Sequence, residues 1–517
     1  MVSVVNLKHA GVGFCAEDCT RPNDTDTSNK QQVSEICCTF APCMKARQVL
    51  LFIAGVFAIL GALWLATPAD GVPLGPLTLR FASLQDDIRA AAEQKVDVDA
   101  VLSEVEGRFD MADKDTLQYY RQFFYENPDR IYLPGDDYKF FDTFFREAEK
   151  ADGTVRVVHY GDSQIEMDRI SQDLREQLQQ KFGGIGTGFF PALSNVPSAS
   201  IMRSASGGFV QYTMYGDSTT MRAGHNRYGI LAQVVKLSGG GTVNLRATRN
   251  KNARERVKTF SSVSLLYGRA SQNFSAKAIS DTLKPVETVT EKDNAILRTW
   301  TFARPVEKAS IKINGTAEIY AVGADGNKGV AVDNIPLRGC SGTIFHRISK
   351  PLMTESFELT NTRLIILQFG GNYMPVATST KVIQQYQEQI AQEIQYFHEV
   401  APQAKILFIG PSDMGKSVGG RIVTWPRLPE MVDSLKTTAL RSDAAYWDLF
   451  RMMGGENSMG QWVKHHPPYA GPDYIHFTAD GARKVGDALS RSLLTYYDFY
   501  RLRKKVPASR IKEAMRR

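Results

Sequence analysis

The sequence predicts a three-layer αβα fold: a parallel sheet flanked by helices, interrupted by an inserted β-sandwich and preceded by one transmembrane helix. Three observations predict it. Apolar runs at 155–158, 364–369 (LIILQF), 405–409 (KILFI) and 445–449 alternate with helical patterns at 381–399, 428–440 and 479–500. That alternation is what βα units around a buried parallel sheet produce. From about 194 to 333 it gives way to short β-prone runs between Gly, Asn and Ser clusters (ILAQVVKL, GTVNLRAT, SVSLLYG, ASIKING), the texture of an inserted antiparallel sandwich. Ahead of both, Val49–Ala66 is an uncharged run, long enough at about 1.5 Å per residue to span a bilayer core.

Taken in order, residues 1–46 are polar and short of large apolar groups, which predicts little structure. Five of the six cysteines lie there (Cys15, Cys19, Cys37, Cys38, Cys43), at spacings too irregular for a metal clip. Residues 47–68 read as a signal anchor. Lys45 and Arg47 flank its start, so the positive-inside rule puts the N-terminus in the cytoplasm and the body on the extracytoplasmic, periplasmic side. Residues 69–150 read as a helical spacer or accessory packing cover for the domain that follows, with helical patterns at 97–109 and 114–124. The α/β domain occupies 151–193 and 334–503, the insertion 194–333, and 504–517 form a basic tail. Hydrophobic content of 43% and charged content of 23% suit a large core. The net charge of +7 is spread over a long chain, and no nucleic-acid motif accompanies it.

The stretch VRVVHYGDSQIEMDR (155–169) organises the α/β part. A strand runs into Gly161-Asp162-Ser163, and Ile165, Ile170, Leu174 and Leu178 follow at helical spacing. A serine at such a junction carries a hydroxyl at the carboxyl edge of the sheet, and its own N–H stands at a helix start. One turn then supplies a nucleophile and part of an oxyanion hole. The second copy of the tripeptide, Gly216-Asp217-Ser218, precedes no helical period and reads as a turn. Near the C-terminus, GPDYIHFTADGARKV sets Asp473 and His476 three residues apart just before a helix. A carboxylate there can fix an imidazole that takes the serine proton. His465 and His466 lack an acid at a matching offset. LRGCSG (337–342) and GGN (370–372) bring glycine N–H groups and an asparagine amide, both suitable donors to an oxyanion.

Together these four blocks resemble those of the GDSL, or SGNH, hydrolase superfamily. The resemblance covers about 150–195 and 335–500. It implies Ser163 as nucleophile, with His476 and Asp473 completing a catalytic triad. It implies an oxyanion hole from Ser163, Gly342 and Asn372, with Gly339 as second choice to Gly342. Gln164 stands where lipase-like members carry leucine, and Tyr373 where many carry aspartate. The layout also resembles extracytoplasmic carbohydrate O-acetylesterases of the peptidoglycan type. That likeness implies a serine esterase acting on an acetylated cell-envelope glycan, with no metal or cofactor. Membrane-anchored relatives also serve as O-acetyltransferases beside a multispanning acyltransferase, so hydrolysis and transfer both stand. A non-catalytic glycan-binding envelope protein is the remaining alternative.

Overall fold

The computed structural model describes residues 51–52, 54–58, 61–62, 72–74, 77–79 and 114–516, except 151, 194–195, 197, 217–220 and 251–252. The chain divides into two units, 1–103 and 104–517. In the first, the described residues between 51 and 62 are helical. Strands β1 (Val72–Leu74) and β2 (Leu77–Leu79) pair as a hairpin. Among the described residues no helix is long and apolar enough to cross a membrane. More than half of the expected anchor, the helix expected at 97–109 and the five N-terminal cysteines lie outside the described residues.

The second unit opens with α1 (Lys114–Glu126), β3 (Ile131–Tyr132) and α2 (Asp142–Lys150). Then come β4 (Thr154–Gly161), a 3-10 turn (Ser163–Asp168) and α3 (Ser171–Phe182). Strands β5 (Gly186–Phe190), β6 (Ile201–Thr213), β7 (Gln233–Ala247), β8 (Phe260–Gly268) and β9 (Ser275–Ile279) follow. They continue as β10 (Val286–Glu291), β11 (Ile296–Val306), β12 (Lys308–Asn314) and β13 (Ala317–Asp325). The α/β pattern resumes with β14 (Gly329–Pro336), α4 (Lys350–Leu359), β15 (Thr362–Gln368), α5 (Thr380–Val400) and β16 (Lys405–Ile409). A hairpin of β17 (Gly415–Val418) and β18 (Arg421–Thr424) precedes α6 (Leu428–Arg441) and β19 (Ala445–Trp447). Helices α7 (Leu449–Met452), α8 (Ser458–Lys464), α9 (Ala479–Arg503) and α10 (Ala508–Ala514) end the chain.

The predicted parallel sheet is present, in the order β14-β4-β15-β16-β19-β3, with only β3 antiparallel. Its strands are apolar on both faces because helices cover both. Leu364 and Ile366 face one core with α1, α2, α3 and α9. Their neighbours Ile365 and Leu367 face a second core with α4, α5 and α6. This period-2 split is the three-layer arrangement.

Several sequence boundaries move. Of the two readings of 114–150, packing cover rather than spacer fits: β3 extends the sheet edge, and Phe140, Phe141, Phe144 and Phe145 are buried in the first core. The inserted sheet starts before 194, since β5 pairs with β13, and it ends before 333, since β14 lies beside β4. The insertion is one connected nine-stranded antiparallel sheet rather than two separate sheets. It curls so that Val235, Val243 and Ile311 share a core with Val263, Leu265 and Val322. The opposite side of β8 and β13 (Leu266, Tyr320, Ala321) packs into the second α/β core. The basic tail carries α10, whose Ile511 and the following Met515 join the first core. A charged surface hid that apolar pair from a composition reading.

Candidate active site

Three strand ends come level at one edge of the parallel sheet. Gly161 of β4 stands opposite Pro336 of β14 and Gln368 of β15. The segments that follow (Ser163, Arg338–Gly342 and Gly370–Asn372) are therefore delivered side by side at the carboxyl edge, where open α/β sheets place ligands.

Ser163 begins the 3-10 turn, capped by Asp162, whose Oδ1 accepts the Gln164 N–H at 2.9 Å. The turn is broken by positive φ at Met167, Asp168 and Ile170, and α3 starts only at Ser171. The long helix expected directly after the serine is thus two pieces. The apolar spacing still holds, since Ile165, Ile170, Leu174 and Leu178 are all fully buried. The break is held by Asp168, buried in a bidentate pair with Arg175 at 2.6 and 2.9 Å.

The Asp473–His476 loop arrives from the other end of the chain. Gly471 N–H donates to the His476 carbonyl at 2.8 Å, Ala470 bridges Phe477, and Thr478 caps α9. This closed turn aims the imidazole at the serine: His476 Nε2 lies 2.8 Å from Ser163 Oγ. On the other side of the ring, Nδ1 lies 2.7 Å from Asp473 Oδ2. Asp473 Oδ1 also accepts the N–H groups of Ile475 and His476 at 3.0 and 3.1 Å. Burial pushes the Asp473 carboxyl up, but these three hydrogen bonds outweigh it and hold the group below its ordinary range.

Gln164 of the first block and Arg169, outside the four blocks, tie the loops together. Gln164 donates to the Ile475 carbonyl at 2.7 Å. Arg169 donates to the carbonyls of Phe477 at 3.0 Å and Ser163 at 2.7 Å. Gln164, the residue that departs from the leucine of lipase-like relatives, is thus a polar clamp on the histidine loop. The sequence marked Gln164 only as a departure from leucine, did not single out Arg169, and gave no sign of what either would hold. His465 stacks on Tyr469 at 3.8 Å and bonds the Pro467 carbonyl. Neither His465 nor His466 lines the pocket around Ser163.

The donor side differs from expectation at one residue. Gly342 does not line the pocket, and its N–H is directed to Cys340 Sγ at 3.3 Å. A Cβ there would stand 2.6 Å from the Phe369 ring, so this glycine serves close packing. Gly339 lines the pocket instead. It is the third residue of a β-turn closed by Cys340 N–H to the Leu337 carbonyl at 2.9 Å, with φ +73°. Its carbonyl is held by the Tyr215 hydroxyl at 2.6 Å, and its N–H has no acceptor among the described residues. Asn372 also lines the pocket, and its Nδ2 donates to Asp162 Oδ2 at 2.9 Å and to the Cys340 carbonyl at 3.3 Å. Asp162 is pushed up to about 6 by burial, against the pull of Gln164 N–H, His476 and Asn372. The Cys340 thiol, outside the pocket lining, is pushed up to about 12, chiefly by burial, which leaves it inert.

The pocket holds about 470 Å³. Pro411, Met414 and Trp425 form its far wall and Arg338 its rim toward the inserted sheet. A serine hydroxyl bonded to an imidazole that a carboxylate orients, with Gly339 and Asn372 lining the same cleft, is an arrangement that can carry out acyl transfer.

No protein-family model matches the sequence, and no curated protein matches it. Among solved structures, the chain is similar to one described as a peptidoglycan O-acetylesterase in action. The two are 19% identical with a TM-score of 0.56, over 70% of this chain and 96% of the other. It is also similar to an acetyl xylan esterase (14% identity, TM-score 0.25, 32% and 81% of the two chains). A third is a family two carbohydrate esterase from Cellvibrio japonicus (10%, 0.24, 58% and 99%). The likeness to the first of these, at a TM-score of 0.56, shows a shared fold.

Proposed function

We propose that this chain is a serine esterase that removes an acyl group, an O-acetyl in this reading, from a cell-envelope glycan through an acyl-serine intermediate. The observation that carries the reading is the continuous relay Ser163 Oγ–His476 Nε2–His476 Nδ1–Asp473 Oδ2 at 2.8 and 2.7 Å. The similarity in fold to a structure described as a peptidoglycan O-acetylesterase supports the choice of ester. In the first half-reaction Ser163 Oγ attacks the ester carbonyl while His476 Nε2 takes its proton, and Asp473 holds the imidazolium. The oxyanion is received by the N–H groups of Ser163 and Gly339. It is received also by Asn372 Nδ2, which exchanges its longer bond to the Cys340 carbonyl for it. His476 then returns the proton to the sugar alkoxide, which leaves. In the second half-reaction water enters with His476 as base, and the carboxylate product departs from Ser163.

If a sugar hydroxyl replaces that water, the same site performs O-acetyl transfer. The uncharged run Val49–Ala66 supports a membrane anchor with the body on the extracytoplasmic side. The test offers O-acetylated peptidoglycan and other acetylated glycans to the wild-type chain and to Ser163→Ala, and follows free acetate and acetylated acceptor. The expected result is acetate release by the wild type and a loss of about 10³-fold or more in the variant. Undiminished release by Ser163→Ala would refute the reading, and acetylated acceptor without free acetate would turn it to transfer.

A further inference from the structure

The pocket at Ser163 does not end at Arg338. That side chain also walls a second cavity of about 310 Å³, which lies between the parallel sheet's edge and the inserted sheet. Its walls come from both parts: Asp168 and Arg175 below, Thr187 and Phe190 of β5, and Arg203 and Gln211 of β6. A chain-like substrate bound at Ser163 has this direction in which to continue.

The chemistry of the walls is specific. The Asp168 carboxylate is already neutralised by the two Arg175 bonds and further bonded by the Ser200 hydroxyl. Arg203 has no such partner. Among the described residues its guanidinium meets the Val196 carbonyl at 2.9 Å and the Phe190 ring at 5.5 Å, and no carboxylate. Burial lowers its pKa to about 10, so it still carries its charge at neutral pH. Thr187, 6% exposed, also lines the cavity, but its hydroxyl is closed off from it. A largely desolvated cation without a counter-charge is a group that a native interior normally satisfies. A ligand that brings an anion satisfies it. The planar guanidinium fork matches a carboxylate.

We infer that the cavity walled by Arg203 is a subsite for a carboxylate-bearing sugar of the glycan, next to the sugar whose ester lies at Ser163. Arg203 takes the carboxylate, and Arg338 marks the junction of the two pockets. This deepens the esterase reading and rests on it for the identity of the neighbouring sugar. The carboxylate belongs either to a uronic acid or to a lactyl ether on the sugar.

The test separates binding from turnover. Affinity of the full chain is measured for an oligogalacturonide and for a disaccharide containing N-acetylmuramic acid, each beside its carboxyl-reduced counterpart. The same measurements are made on Arg203→Gln and Arg203→Lys. At least one acidic probe is expected to bind about 10- to 100-fold more tightly than its reduced form. That gap should close in Arg203→Gln and partly return in Arg203→Lys, and the probe that shows it identifies the carboxylate's source. Turnover of a small soluble acetyl ester reports folding and the Ser163 site, and should be unchanged in both variants. Equal affinity for acidic and reduced probes, or a gap that survives Arg203→Gln, overturns the subsite. Absence of small-ester turnover in the wild type overturns the esterase reading instead.

Discussion

The Tyr215 hydroxyl donates to the Gly339 carbonyl over 2.6 Å. Tyr215 lies just beyond β6 of the inserted sheet, and Gly339, whose N–H has no acceptor among the described residues, lines the pocket with Ser163. The insertion therefore touches the candidate oxyanion hole directly. Tyr215→Phe removes one neutral hydrogen bond and little else. Its expected effect is a threefold to tenfold fall in kcat, about 1 kcal/mol of transition-state stabilisation, with the melting temperature unchanged. Steady-state kinetics on a small acetyl ester beside a thermal melt reads both.

The two candidate glycines separate by substitution. Alanine at Gly339 meets only the Tyr215 hydroxyl, at 3.6 Å, but must hold φ +73°. The cost to stability is about 1–2 kcal/mol, and the relaxed turn lowers kcat by roughly 10- to 100-fold. At Gly342 the same substitution also drives a Cβ to 2.6 Å from the ring of the buried Phe369. There the loss of stability is on the order of 3 kcal/mol or more. Denaturant unfolding ranks the two variants, and a fall in kcat confined to Gly342→Ala would reverse the assignment made here.

Asp473 is half exposed, with 48% of its side chain open to solvent. A carboxylate so placed stabilises the imidazolium less than a buried one, because water screens it. Asp473→Asn is therefore expected to lower kcat by roughly 10²-fold, short of the loss from His476→Ala. Equal losses in the two variants would show that the acid's orienting role dominates over its charge.

Asp162 gives a pH dependence with a defined sign. Its carboxyl titrates at an ordinary 3.8 in the unfolded chain and about 6 in the native one, where burial opposes the charge. Between those values the native chain holds a proton that the unfolded chain has released. The stability this group contributes is therefore full below pH 4 and lost as pH rises through 6. Asp162→Asn carries no such charge, so it gains on the wild type across that window, by on the order of 1–3 kcal/mol at pH 7. Urea midpoints measured from pH 4 to 8 on both proteins report the difference; parallel curves would remove Asp162 as the source. The same variant disturbs the bond to Asn372, and a fall in kcat at pH 7 should accompany the gain.

The sequence by itself determined the parallel sheet. Leu364–Gln368 and Lys405–Ile409 are apolar on both faces, and only a sheet covered by helices on both sides buries such a run. It determined the candidate triad as well, because a serine after a strand and a DxxH turn before a helix are local signatures. Only the tertiary structure decided between Gly339 and Gly342, three residues apart in one loop. That choice depends on where Phe369 and Tyr215 stand, and both come from other parts of the chain. It also decided that 114–150 and Ile511 belong to the α/β core, since their partners on α9 and the sheet lie hundreds of residues away or at the far end of the chain. Local propensity and spacing are written along the chain. Which backbone N–H is left free at the edge of a pocket is a property of every segment packed around it.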